Sequence, residues 1–146
     1  MPDSNPTPAP HRVAIAGASG RMGHMLIEAL RARDDCRLAG ALDVGSSPAI
    51  GNDACAFLGH ASGVPVTADL HAGLAQSSVL IDFTRPEGTL AHLRVCRELG
   101  VNAVIGTTGF SDAQKQEIAD AARDIAIVMA PNMSVGVNVT LKLLEM

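Results

Sequence analysis

Aromatic side chains are nearly missing from this sequence, which has no Trp, no Tyr and only Phe57, Phe83 and Phe110. A chain so poor in flat rings offers no platform on which nucleic-acid bases stack. A strong charge of one sign is missing too. The formal net charge is −4, with Lys and Arg scattered rather than blocked, so no field gathers nucleic acid or anionic lipid. Cysteine is scarce, and Cys36, Cys55 and Cys96 are odd in number, far apart and without CxxC spacing. That argues against a disulfide framework or a cysteine metal site and fits three structural thiols in a reducing compartment. No apolar run approaches the roughly 20 residues that cross a bilayer. The opening MPDSNPTPAP holds four prolines and no apolar core, which excludes a secretory signal. These absences predict a cytoplasmic chain whose partner is a small molecule rather than nucleic acid or membrane.

What is present is alternation. The 146 residues suffice for one domain with a real core. Short apolar runs alternate with helical stretches, the pattern of a doubly wound α/β fold with a mostly parallel sheet covered on both faces. RVAIAG reads as a buried strand. Met22, Met25, Leu26, Ala29 and Leu30 then fall at helical spacing, until the charges of RARDD end the stripe. RLAGALD, from Arg37 to Asp43, is the second strand. Positions 44–63 read as loop with one short helical turn, VPVT as a short strand and 69–76 as a short helix. SVLIDFT is a buried strand, followed by a helix with Pro86 in its first turn and Gly100 just past its end. VNAVIGT is another strand. Ser111 and Gln114 form a capping box for a helix reaching about position 123, and IAIVMA is the next strand. Beyond Pro131 the signal is mixed: Val135, Val137 and Val139 alternate like a strand, while Val137, Leu141 and Leu144 share a helical stripe. Helix is favoured. It stops at LKLLEM without a glycine cap, a polar turn or a proline, so the chain is expected to be one domain of a longer enzyme. The expected division is a disordered leader over 1–11, a dinucleotide-binding domain over 12–130, and over 131–146 a hinge with the start of a helix leading to a further domain.

The stretch VAIAGASGRMG places Gly17, Gly20 and Gly23 directly after a strand and at the opening of a helix. In that context the first glycine permits a tight turn, the second lets backbone approach a pyrophosphate, and the third allows helix and strand to pack closely. Unpaired N–H groups at the helix start then meet the phosphates. The spacing is GxxGxxG rather than GxGxxG, so the turn alone is equally readable as a tight connection. A second signal shifts the balance: Asp43 ends the next strand 20 residues beyond Gly23, where an acid accepts hydrogen bonds from an adenosine ribose. Rival loops fail on inspection. GK[ST] is absent, Arg21 stands where a GxSxG elbow needs its last glycine, and the missing Tyr removes short-chain dehydrogenase chemistry. His11, His24, His60, His71 and His92 are isolated from one another and read as surface or helix-face residues. No metal site and no acid–base pair is expected.

Three further stretches fall at the carboxyl ends of later strands: DFTRPEG from Asp82, GTTGF from Gly106, and APNMSVGVN from Ala130. With GASGRMG they resemble the amino-terminal domain of the 4-hydroxy-tetrahydrodipicolinate reductase (dihydrodipicolinate reductase) family over about Arg12 to Met146. The resemblance implies a Rossmann-like fold ahead of a second α+β substrate domain. It implies that Gly17, Ala18, Ser19, Gly20, Arg21 and Met22 cradle the pyrophosphate of NADH or NADPH and that Asp43 binds the ribose. Gly106, Thr107 and Thr108, with Ala130, Pro131, Asn132 and Met133, would line the nicotinamide end, bordered by Phe83 and Thr84. Apart from the resemblance, Thr107, Thr108 and Phe110 read equally as a helix entry and a packing residue. The implied reaction is hydride transfer to a cyclic unsaturated dicarboxylate on the route to diaminopimelate and lysine. The family's histidine-pair and lysine motif does not occur in this sequence. Catalytic residues are thus expected beyond Met146, and the tetramer typical of the family through the absent domain, with this chain monomeric and inactive alone. Many members carry a base directly after the strand-end acid, whereas Val44 follows Asp43 here. That predicts a tilt toward NADH, because a 2′-phosphate would face an unneutralised carboxylate unless Arg21 reached it. The alternative reading is a non-catalytic module holding NAD(H) or coenzyme A, which has no use for GTTG and APNMSVGVN on one sheet edge.

Overall fold

The computed structural model describes residues 8–144. The leader expected over 1–11 lies outside the described residues as far as position 7, and its last residue, His11, already belongs to a strand. That strand is β1 (His11–Ala16), followed by α1 (Arg21–Arg31), β2 (Cys36–Leu42) and a single 3-10 turn at Ala56–Leu58. The chain continues through β3 (Val66–Thr67), α2 (Leu70–Leu74), β4 (Val79–Asp82), α3 (Pro86–Leu99), β5 (Asn102–Ile105), α4 (Asp112–Ala121), β6 (Ile127–Met129) and α5 (Val135–Leu144).

Among the described residues the strands form one six-stranded sheet in the order β3-β2-β1-β4-β5-β6, every neighbouring pair parallel. The chain begins in the middle, winds outward to β3, returns to β4 beside β1 and winds outward again. The connections therefore leave β1 and β4 in opposite directions and open a crevice at their carboxyl ends, the place where such sheets bind ligands.

The sheet is apolar on both faces, as parallel sheets are. Ala14 and Ala16 pack with Leu90 and Leu93 of α3 and Ile118 of α4, while Val13 and Ile15 pack with Ile27 and Leu30 of α1. Each fully buried aliphatic side chain contributes about 1.5–3 kcal/mol. The helix ends follow local chemistry. Pro86 opens α3, and Gly100, at φ 70°, closes it by donating to Cys96 O. Ser111 and Gln114 form the full capping box of α4, and Asp69 caps α2 through Ala72 N at 3.0 Å.

One helix is turned relative to expectation. The buried face of α1 is Gly23, Ile27 and Leu30, whereas Met22 and Met25 are exposed and Ala29 faces solvent. The apolar stripe is therefore split: Leu30 faces the core, while Met22, assigned to the pyrophosphate cradle, and Met25 stand on the crevice side. Residues 135–144 are helical rather than extended, because Ser134 Oγ accepts from Val137 N at 3.4 Å in an N-cap arrangement. The apolar side chains of α5 are nevertheless exposed, Val135 to 78% and Leu144 to 79%.

Candidate functional site

The site begins with the turn between β1 and α1. Gly17 takes φ +68°, the left-handed region. The turn that follows carries Ala18 N to Leu42 O at 3.0 Å and Gly20 N to Gly17 O at 3.0 Å. Gly23 then passes directly over it, for an ideal Cβ there would sit 2.2 Å from Gly17 O and 2.7 Å from Ala18 O. Only hydrogen fits. The first helical bond of α1 is His24 N to Gly20 O at 2.9 Å, so the amides of Arg21, Met22 and Gly23 have no acceptor within the helix. No side chain caps this end and no acid stands in its first turn. Its partial positive charge is presented to the crevice.

That crevice is a cavity of about 1120 Å³ bounded by Gly17, Ser19 to Gly23 and Met25 on one wall, Leu42 to Gly45 with Ala68 and Leu70 on another, and Phe83 to Arg85, Glu87, Gly88, Ala91 and His92 on the third. Asp43 is held firmly in its wall. Its Oδ2 accepts from Ser19 N at 3.0 Å and from Ser19 Oγ, and its Oδ1 from Val44 N at 2.8 Å. The first turn of α1 and a strand-end carboxylate thus face a single volume large enough for a dinucleotide.

The third wall contains a feature that sequence reasoning missed. Asp82, at the end of β4, and His92, two turns into α3, form a buried pair with Oδ2 to Nδ1 at 2.7 Å and side chains 1% and 13% exposed. Asp82 Oδ1 accepts from Thr84 N at 3.0 Å, Thr84 Oγ1 at 2.6 Å and Thr107 Oγ1 at 3.3 Å. Burial pushes the Asp82 carboxyl up, but the hydrogen bond and charge of His92, with the hydroxyl and amide of Thr84, outweigh it and hold the group below its ordinary value. An ionised Asp82 is acceptor-only, so the imidazole carries its proton on Nδ1. The expectation that the chain holds no acid–base pair is therefore corrected: the partners lie ten residues apart, and only the strand-to-helix return brings them together.

The sequence-predicted residues divide accordingly. Gly17, Ser19, Gly20, Arg21, Met22, Asp43, Phe83 and Thr84 line the cavity. Ala18 does not; its methyl is buried in the α1-side core and its amide is already bonded to Leu42 O. Thr107 is buried as well, its hydroxyl accepting from Thr84 N and Thr89 Oγ1, both at 2.9 Å. Gly106 lies under the Phe83 ring, where a Cβ would come 2.0 Å from Cε1. Thr108, Pro131, Asn132 and Met133 are exposed and Ala130 is half-buried. They follow β5 and β6 on the same sheet edge, outside the cavity. Phe110 is a packing residue against the core. Gly88, Ala91 and His92 line the cavity without having been singled out as site residues. The signal was their i, i+3, i+4 spacing on a helix that starts at the ligand edge.

Among the described residues no cluster of His, Cys, Asp and Glu could hold a metal ion, and no helix is long and apolar enough to cross a membrane. The family model for dihydrodipicolinate reductase, N-terminus, matches residues 11–133. The 4-hydroxy-tetrahydrodipicolinate reductase of Herminiimonas arsenicoxydans is 63% identical over 135 residues, covering 92% of this chain and 50% of that protein. The reductase of the same name from Cupriavidus pinatubonensis is 64% identical over 133 residues, covering 91% and 50%. Among solved structures, dipicolinate-bound dihydrodipicolinate reductase from Paenisporosarcina sp. TG-14 superposes with a TM-score of 0.72 at 26% identity, covering 92% of this chain and 52% of that one. The chain spans about half the length of the curated relatives it matches. From the glycine turn through the stretch after β6, sequence and sheet order agree, and the chain belongs to the dihydrodipicolinate reductase amino-terminal family.

Proposed function

We propose that this chain is the cofactor-binding half of an NAD(P)H-dependent reductase that converts 4-hydroxy-tetrahydrodipicolinate to tetrahydrodipicolinate in diaminopimelate and lysine biosynthesis. The observation that carries the reading is the first turn of α1, which has no side-chain cap and opens onto a cavity whose adjoining wall bears Asp43. The residues present fit a dinucleotide. Arg21, Met22 and Gly23 offer main-chain donors to a diphosphate. Gly20 is part of the cavity surface, and a side chain there would stand where that anion approaches. Asp43 is the acceptor for the adenosine ribose. Gly106, Thr108 and Ala130 to Met133 are assigned to the nicotinamide end, with Thr107 acting by holding Thr84 rather than by direct contact. The bound nicotinamide supplies the hydride, and this chain's residues orient it.

The preferred cofactor in this reading is NADH. Val44 follows Asp43, and Arg21 and Arg85 are the cationic groups of the cavity wall. The family's histidine-pair and lysine motif is absent from the sequence, so catalytic groups and tetramer contacts are assigned to a second domain reached through 131–146. The exposed apolar side chains of α5 and of Val128 support that assignment. The site of action in this reading is the cytoplasm. Calorimetric titration of the chain with NADH and NADPH tests it. Saturable binding with NADH tighter, and no turnover of the dicarboxylate by the chain alone, is expected; no saturable binding of either would overturn it.

A further inference from the structure

We propose that Ser19 and Ser47 are positioning residues that set the choice between NADH and NADPH by fixing the Asp43 carboxylate, an inference that rests on the cofactor reading above. Ser19 lies within the glycine turn, yet its amide is already spent within the chain: it donates to Asp43 Oδ2 at 3.0 Å, and its hydroxyl donates to the same oxygen. Ser47 follows the turn after β2, with Ser47 N bonded to Val44 O at 2.9 Å. Its Oγ accepts from Ala49 N at 3.2 Å and lies 3.2 Å from Ser19 Oγ. Because the Ser19 proton is given to Asp43, the proton between the two hydroxyls comes from Ser47. The bonds run in one direction, from Ser47 to Ser19 to Asp43.

The consequence follows from counting lone pairs. An ionised carboxylate has about four acceptor directions. Ser19 takes two on Oδ2 and Val44 N takes one on Oδ1. The direction left on Oδ1 suits one ribose hydroxyl, a donor. A 2′-phosphate has no proton to give there at neutral pH and meets a negative charge that three bonds prevent from turning aside. A free Asp43 side chain would rotate away from such a phosphate. Discrimination thus depends on the serines as well as on the acid, and Ser47, which does not line the cavity, acts only through Ser19.

The test is calorimetric titration of NADH and NADPH into the chain and its Ser19→Ala, Ser19→Thr, Ser47→Ala, Asp43→Asn and Ser19→Ala/Asp43→Asn variants, each checked for folding by its melting transition. Loss of one charge-assisted hydrogen bond predicts that Ser19→Ala moves the NADH-to-NADPH affinity ratio toward NADPH by about five- to tenfold. Ser47→Ala moves it the same way by less, and Ser19→Thr keeps the wild-type ratio. In the Asp43→Asn background the Ser19→Ala change has no further effect on the ratio. A merely structural role would weaken both cofactors equally. If both cofactors bind but Ser19→Ala leaves the ratio unchanged, or adds in full to Asp43→Asn, the inference falls while the cofactor reading stands. If the wild-type chain binds neither, the cofactor reading falls and the inference with it.

Discussion

Substituting Gly23 by Ala inverts the usual effect of that exchange. In an ordinary helix interior Gly→Ala stabilises by about 1 kcal/mol, through lower backbone entropy in the unfolded chain. At Gly23 the new methyl would stand 2.2 Å from Gly17 O and 2.7 Å from Ala18 O. Carbon normally meets a carbonyl oxygen at about 3.3–3.6 Å, so the turn must retreat by about 1 Å. Both obstructing atoms are backbone, and no rotamer change relieves them. Overpacking costs about 1–3 kcal/mol, and a clash with two backbone atoms that cannot swing aside belongs at the upper end, about 2–3 kcal/mol. Set against the helix gain, the net loss is about 1–2 kcal/mol, or a melting point lower by about 2–8 °C for a chain of this size. The same retreat carries the amides of Arg21 and Met22 off the geometry they present to the cavity, so NADH affinity falls by about tenfold or more. Thermal denaturation followed by circular dichroism, with NADH titration well below the transition, reads both effects. A Gly23→Ala chain that melts at or above the wild type, or binds NADH as tightly, would refute the reasoning.

Further outcomes follow from the buried polar network. His92→Ala leaves the buried Asp82 carboxylate without its Nδ1–H donor and is expected to cost about 1–3 kcal/mol in urea denaturation; a loss below about 0.5 kcal/mol would show that the pair contributes little. Because the folded-state carboxyl of Asp82 lies below its ordinary value, its stabilisation is present above about pH 4 and disappears as pH falls below that. Asp82→Asn should therefore flatten the acid limb of the stability profile. Thr107→Val keeps shape but removes the acceptor of the buried Thr89 Oγ1 and one of the two acceptors of Thr84 N, which predicts a loss of about 1–3 kcal/mol. Cys96 is fully buried, and that burial, then the nearby Asp82 charge, pushes its thiol up to about 12. Iodoacetamide followed by peptide mass spectrometry should find half-buried Cys36 alkylated in the native chain and Cys96 untouched; rapid labelling of Cys96 would contradict the packing described.

Much of the fold was legible because its signals are local. Pro86 and Gly100 mark the ends of α3, Ser111 and Gln114 the start of α4, and the β-branched runs mark strands whatever their partners. Gly17 and Gly23 announced the turn, since the constraint on each arises within a few residues. Where the reading failed, the deciding contact was distant or directional. Periodicity gave α1 a stripe but not its rotation, which Gly23 sets by pressing against the turn, so Met25 and Ala29 of that stripe are exposed. Asp82 and His92 meet only once β4 has returned through α3. Thr107 looked like a site hydroxyl because it sits at the ligand edge, and only the structure shows it turned inward to Thr84 and Thr89. The loop over 44–63 had no periodic signal. Its order comes from Asp53, which gathers the amides of Cys55, Ser62 and Gly63 at 2.8–2.9 Å.

The most direct measurement of the central claim is the amide spectrum of the ¹⁵N-labelled chain during titration with NADH. The account predicts saturable shifts concentrated at Arg21, Met22 and Gly23, with smaller ones at Ser19, Val44 and Arg85, while α4 stays unchanged. A spectrum that does not move, or that moves along α4 and α5 while the glycine turn stays still, would contradict it.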